Sequence, residues 1–221
     1  TTCRPMQAPS TLHADFIENI RGDPSGLKEV FMRDSETLGS QDAVIAVDVQ
    51  SDFCPGGALG VEDGDAVVPV LNDWLDNAAR QGALSIASRD WHPVAHCSFE
   101  AQGGPWPDHC LQDTEGAAFH PDLRLPPDTV RVSKGTAFDR DAYSAFDGTG
   151  LQGFLESRGI KRVWIGGLAC DVCVRATVLD ACKLGFETHL IADATRAVNP
   201  NKVGDVIDEM REAGAIIEDA V

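Results

Sequence analysis

Residues 161–193 read KRVWIGGLACDVCVRATVLDACKLGFETHLIAD. The first part, KRVWIGG, reads as a strand that stops at a double glycine. DVCVRATVLDACKLG (171–185) then places apolar residues at helical spacing and closes on Gly185, a helix breaker. ETHLIAD (187–193) is a second short apolar run with the character of a strand. Strand, helix and strand in immediate succession imply a βαβ unit.

The same alternation extends outward on both sides. AVIAVDV (43–49) is a continuous apolar run carrying Asp48, which suits a strand buried on both faces. AVVPVLNDWLDNAARQG (66–82) has helical periodicity and a terminal glycine. ALSIASRD (83–90) and TVRVSKG (129–135) read as strands and LQGFLESRG (151–159) as a helix. NPNKVGDVIDEMREAG (199–214) is helical and AIIEDA (215–220) a last strand. Repeated alternation predicts an α/β fold, a mostly parallel open sheet with helices on both faces. In such sheets chemistry collects outside the C-terminal strand ends. Those ends carry Asp48, the pair Asp90 and His92, Lys134, and the GGLACDVC turn.

The bulk numbers narrow the function classes. A chain of 221 residues with 43% hydrophobic content holds one well-cored domain. Eighteen Lys and Arg against 35 Asp and Glu give a formal charge of −17, which repels phosphate backbones and anionic membranes. No nucleic-acid or membrane partner is therefore expected. No apolar run approaches the ~20 residues that span a bilayer. The opening TTCRPMQAPSTLHADF lacks the basic-then-apolar layout of a secretory signal, and seven cysteines, an odd number, argue against a full disulfide framework. A reducing cytoplasm is expected. Residues 1–41 are polar and punctuated by GDPSG; TLHADFIENI and GLKEVFMRD each fit a short helix. They read as an N-terminal extension to a domain spanning 42–221.

The cysteine turn admits several readings. Cys173 falls just after a strand and inside the first turn of a helix, where unpaired N–H groups and the helix dipole favour an anion. A thiol there can have its pKa lowered and act as a nucleophile, and the same amides can hold an oxyanion. Cys170 sits one turn earlier, and Cys182 lies deeper in the helix where small buried thiols are common. Buried structural cysteines, a nucleophile, a redox C-x-x-C and a metal clip all remain open on this segment alone. Lys134 and Asp48 shift the balance towards a nucleophile. A thiolate needs a cation beside it, and acyl chemistry needs a group that moves protons.

A second cluster lies in SRDWHPVAHCSFEAQGGPWPDHC (88–110). Residues at i and i+2 of an extended segment point the same way, so Asp90 and His92 can share one ligand. One carboxylate with two imidazoles suits Zn²⁺, Fe²⁺ or Mn²⁺; histidines that cap turns in a polar loop are the alternative. His96 fits a fourth ligand, a supporting residue or neither. His13, His120 and His189 have no convergent partner in sequence, and Trp91 and Trp106 flank the cluster.

Five segments, VDVQSDFCPGGALGV, SRDWHPVAHCSF, GPWPDHCLQDTEGAAFHPDL, VSKGTAFDRDAYSAF and GGLACDVCVRATVLDA, occur in this order over about residues 42–198. Together they resemble the nicotinamidase/pyrazinamidase branch of the isochorismatase-like cysteine hydrolase superfamily. The resemblance implies a three-layer α/β/α sandwich with a mostly parallel central sheet, and an Asp-Lys-Cys triad at Asp48, Lys134 and Cys173. It implies an oxyanion hole from the backbone N–H groups of Ala169 and Cys173, with Leu168–Ala169 as a cis peptide. One divalent metal ion is implied at Asp90, His92 and His109, with His96 as a further candidate; zinc is the first choice, iron or manganese the others. Phe53 and Trp106 are the implied substrate-binding aromatics, joined by Phe138 or Tyr143. The implied activity is hydrolysis of nicotinamide to nicotinate and ammonia through a cysteine thioester, in pyridine nucleotide (NAD) salvage; pyrazinamide is a candidate further substrate, and a homo-oligomer is compatible with the pattern, which does not set the number of protomers. A superfamily amidohydrolase with another amide substrate is the alternative. The extension before residue 42 has no counterpart in the family pattern, and the loop after Lys134 varies among relatives.

Overall fold

The structure, a computed structural model, describes residues 38–218. The expected extension lies outside the described residues except for its last four positions, and so does His13. Ten elements follow in chain order: β1 (Asp42–Val47), α1 (Val67–Gln81), β2 (Leu84–Asp90), β3 (Val130–Lys134), α2 (Leu151–Ser157), β4 (Arg162–Leu168), α3 (Arg175–Lys183), β5 (Glu187–Arg196), α4 (Val203–Glu212) and β6 (Ile216–Glu218). The six strands form one sheet in the order β3-β2-β1-β4-β5-β6, and every pairing is parallel. The sheet is thus wholly parallel where the sequence promised a mostly parallel one.

Both faces of the sheet are covered. Val44, Ala46 and Trp164 pack with Leu71 and Leu75 of α1 on one side. Ala43, Ile45 and Val163 pack with Leu155 of α2, Val178 of α3 and Met210 of α4 on the other. All six β1 residues are buried, which is why AVIAV carries no polar alternation. No helix among the described residues is long and apolar enough to cross a membrane.

Two details differ from the sequence reading and shape the functional rim. The strand at the quoted stretch does not stop at the double glycine but runs through it to Leu168. Gly167 has φ +131°, and a Cβ there would lie 2.0 Å from the Val47 carbonyl oxygen. Glycine therefore lets β4 press against β1 where its register with β5 shifts. The helix after it opens as a π-helical turn, Cys170–Val174, before α3 begins at Arg175. Wide turns of this kind recur at functional sites.

The chain builds β1, β2 and β3 in one direction and then returns to place β4 on the far side of β1. The strand order reverses between β1 and β4, and a crevice opens at such a switch point.

Candidate active site

Asp48 follows β1 in the left-handed backbone region (φ 48°), a conformation that Asp adopts more readily than most residues. Its N–H donates to the Ser88 carbonyl at 3.1 Å, and the Ser88 hydroxyl donates to Oδ1 at 2.7 Å. Lys134 ends β3 and is 1% exposed. Its Nζ lies 2.9 Å from Asp48 Oδ2, 2.6 Å from Asp90 Oδ1, 3.2 Å from the Ala142 carbonyl oxygen and 3.4 Å from Cys173 Sγ. The structure therefore brings Asp48, Lys134 and Cys173 together around one ammonium. Asp48 Oδ2 is buried and faces the Lys134 ammonium, with the Cys173 thiol as a second neighbour within reach of the same carboxylate.

Burial dominates the electrostatics. It raises the Asp48 pKa more than Lys134 lowers it. For Lys134 burial works the other way, but Asp48 and Asp90 outweigh it and hold the ammonium well above its ordinary range. Burial, together with Asp48 and Asp90, pushes the Cys173 thiol well up despite Lys134. A helix-start position alone suggested a lowered thiol; desolvation and two carboxylates reverse that. Cys173 rests as a thiol and needs a base. Cys170 is 1% exposed, and burial takes it to about 11.

The second corner is built from Asp90, His92 and His109, whose ligand atoms all lie within 4.8 Å of one another. His92 Nδ1 donates to the Gly135 carbonyl at 2.9 Å, and His109 Nδ1 donates to the Pro107 carbonyl at 2.8 Å. A carbonyl only accepts, so both rings carry hydrogen on Nδ1, which leaves Nε2 as the nitrogen through which each could meet a ligand. Gly135 has φ +61°, and a Cβ there would sit 2.4 Å from the His92 ring, so glycine is required for that contact. His92 Nε2 lies 3.7 Å from Asp90 Oδ2. Imidazoles oriented by backbone carbonyls beside a carboxylate form a donor set for a divalent cation. Two buried carboxylates against one ammonium also leave a net negative charge for a cation to offset. The residues fit a metal ion.

His96 does not join this group. Its Nε2 lies 3.2 Å from the Arg140 carbonyl, its Nδ1 2.7 Å from the Ser98 hydroxyl, and its ring stacks on His92 at 4.2 Å. It forms the outer wall behind a ligand.

The pocket over both corners is lined by Phe53, Trp106, Tyr143, Ala169, Val172 and Val198, with Cys173, Asp90, His92 and His109 on its floor. Trp106 donates to the Tyr143 hydroxyl at 3.1 Å, which fixes two aromatic walls. Of the two alternatives in the loop after Lys134, Tyr143 faces the pocket while Phe138 is 64% exposed and outside it. The Leu168–Ala169 peptide is cis. Trp91 stacks against the Arg89 guanidinium, away from the pocket. His189 acquires partners that its sequence neighbourhood did not suggest, the Glu187 and Glu218 carboxylates, remote from this rim.

Sequence reasoning missed Ser88, which orients Asp48, and Asp171, whose carboxylate accepts the Val198 and Asn199 N–H groups at 2.8 and 2.9 Å. Ser88 lies two residues before Asp90 on β2, so strand alternation offered a signal for it. Asp171 pairs with a loop distant in sequence and offered none.

The isochorismatase domain profile matches residues 42–220. The nicotinamidase of Escherichia coli (strain K12) is 39% identical over 198 residues, covering 79% of this chain and 93% of that protein. The zinc complex of Pyrococcus horikoshii pyrazinamidase is 47% identical with a TM-score of 0.79, covering 81% of this chain and 99% of that one. A protein of L. infantum bound to nicotinate is 38% identical with a TM-score of 0.75, covering 81% and 92%. Fold, profile and relatives converge over the same stretch that carries the rim, and this chain belongs to the isochorismatase family.

Proposed function

We propose that the protein is an amidohydrolase that converts nicotinamide to nicotinate and ammonia, with Cys173 as nucleophile, Asp48 as proton carrier and Lys134 as the cation between them. The observation that carries this reading is the Lys134 ammonium, which touches both the thiol and a carboxylate of the metal corner in one pocket. The relatives named above are a nicotinamidase, a pyrazinamidase and a protein bound to nicotinate, which supports a substrate of the aromatic ring carboxamide class.

Asp48 Oδ2 takes the Cys173 proton as Sγ attacks the carboxamide carbon, and Lys134 offsets the charge of the departing proton's partner. The Ala169 and Cys173 N–H groups receive the oxyanion, a contribution on the order of 10²–10³ in rate per donor. Collapse breaks the C–N bond, and Asp48 returns its proton to the leaving nitrogen. Asp48 then accepts a proton from the water that attacks the thioester carbon and passes it to the Cys173 sulfur as the C–S bond breaks, releasing nicotinate and restoring both the thiol and the Asp48 carboxylate. Phe53, Trp106 and Tyr143 hold the flat ring between them. Asp90, His92 and His109 would hold one divalent ion, zinc first, which would supply Lewis-acid chemistry beside the bound ring. The six free cysteines among the described residues support a reducing, cytoplasmic setting.

Ammonia release from nicotinamide tests the reading. Wild-type protein turns over and a chelator stops it. Cys173→Ala is inactive, and Cys170→Ser keeps most activity. Normal turnover by Cys173→Ala, or equal loss in Cys170→Ser, refutes the nucleophile assignment.

A further inference from the structure

Gln50 carries no role in the chemistry above, yet it is fully buried with its whole amide engaged. Its Oε1 accepts the Asp90 N–H at 2.7 Å, while Nε2 donates to the Asp90 carbonyl at 2.8 Å and the Ala117 carbonyl at 2.9 Å. An amide that binds both backbone groups of one residue replaces a missing rung of a sheet ladder. The β1–β2 pairing ends at Val47 and Ser88, because Asp48 turns into the left-handed region. Asp90, two residues further, would have no neighbour on that side. Gln50 supplies one from its side chain. On the other side Asp90 pairs with Lys134 of β3.

That rung matters because the Asp90 carboxylate is divided. Oδ1 meets Lys134 at 2.6 Å, and Oδ2 faces His92 Nε2 at 3.7 Å. Rotation of the Asp90 backbone would move both oxygens at once. The third Gln50 bond reaches the segment that delivers His109, and Gln50 is bridged to Phe119 within it. One side chain therefore ties together the two pieces of chain that supply the carboxylate and the second imidazole.

We propose that Gln50 is a positioning residue for the metal corner, setting the orientation of Asp90 and its alignment with His109 so that it governs metal affinity without touching the ion. The proposal rests on Asp90, His92 and His109 being the ligands. Partners that orient metal ligands are typically worth about 10–100-fold in affinity.

The test titrates Zn²⁺ into metal-stripped, full-length protein against a chromogenic chelator, with no substrate present. Gln50→Met, near in shape and without hydrogen bonds, is expected to weaken zinc binding by about 10–100-fold. Asn72→Leu is the control. Asn72 is a buried amide that likewise holds backbone groups, at Asp122 and Arg124, far from the metal corner. It should lose stability but keep the wild-type zinc Kd. Should Gln50→Met not fold, Gln50→Asn, which keeps an amide one methylene short, is read in its place with the same expectation. A folded Gln50 variant with the wild-type Kd overturns the proposal, as does equal weakening in Asn72→Leu or failure of both Gln50 variants to fold. Wild-type protein that binds no zinc instead removes the metal reading beneath it.

Discussion

Lys134 is a fully buried cation whose four contacts come from four separate parts of the chain, and its position gives each neighbour its task. Asp48 sits beside it with a raised pKa, so the carboxylate is a stronger base than an ordinary aspartate. Asp48 must be unprotonated to accept the thiol proton, so kcat/KM falls as pH drops through that raised pKa. The acid limb of the pH profile is expected above the ordinary aspartate range. Ser88 supplies the hydrogen bond that works against this shift. Ser88→Ala should therefore move the acid limb higher still and lower kcat by about tenfold, the scale of one hydrogen bond to a charged group. A Ser88→Ala profile superimposable on wild type would refute that role. The identities of Asp48, Lys134 and Cys173 were legible as residue types at strand ends. Their charge states were not, because desolvation depends on what covers them.

At the scale of elements, the π-helical turn Cys170–Val174 does more than present Cys173. Asp171 in that turn clasps the backbone of Val198 and Asn199, and Val198 lines the pocket. Thr177, one turn further, donates to the Cys173 carbonyl at 2.7 Å and accepts the Ala145 N–H at 3.0 Å, fixing the loop that carries Tyr143. Two pocket walls are thus fastened to the helical segment that carries Cys173. Asp171→Ala should release the Val198 wall and raise KM several-fold with a smaller change in kcat, since the clasp orients substrate and not the thiol. A fall in kcat at unchanged KM would place Asp171 in the chemistry instead. Periodicity located α1, α3 and α4 in the sequence. It could not distinguish a π-turn from the first turn of an α-helix, nor show that β4 continues past two glycines. Both depend on how closely β4 approaches β1.

The whole molecule gathers these groups by its strand order. Because β1 stands between β2 and β4, the ends carrying Asp48, Asp90 and the cysteine turn are neighbours, and β3 adds Lys134 from beyond β2. A metal that binds the folded corner and not the unfolded chain stabilises the fold by mass action, by about 4 kcal/mol at a thousandfold excess over Kd. For a domain of this size that corresponds to a rise in Tm on the order of 10 °C. Zinc should raise the Tm of wild-type protein and leave His109→Ala unchanged; an equal rise in both would disconnect the metal from this corner. By itself the sequence determined the alternation of strands and helices, the buried character of β1, and the reactive residue types at the strand ends. These are encoded by spacings of 2 and 3.6 residues and by local composition. The tertiary structure decided which ends meet, that Asp90 serves both Lys134 and the metal corner, that Gln50 completes a ladder rung, and that Cys173 rests protonated. Those outcomes arise from strand order and shared burial between residues far apart in the chain, which no local pattern records.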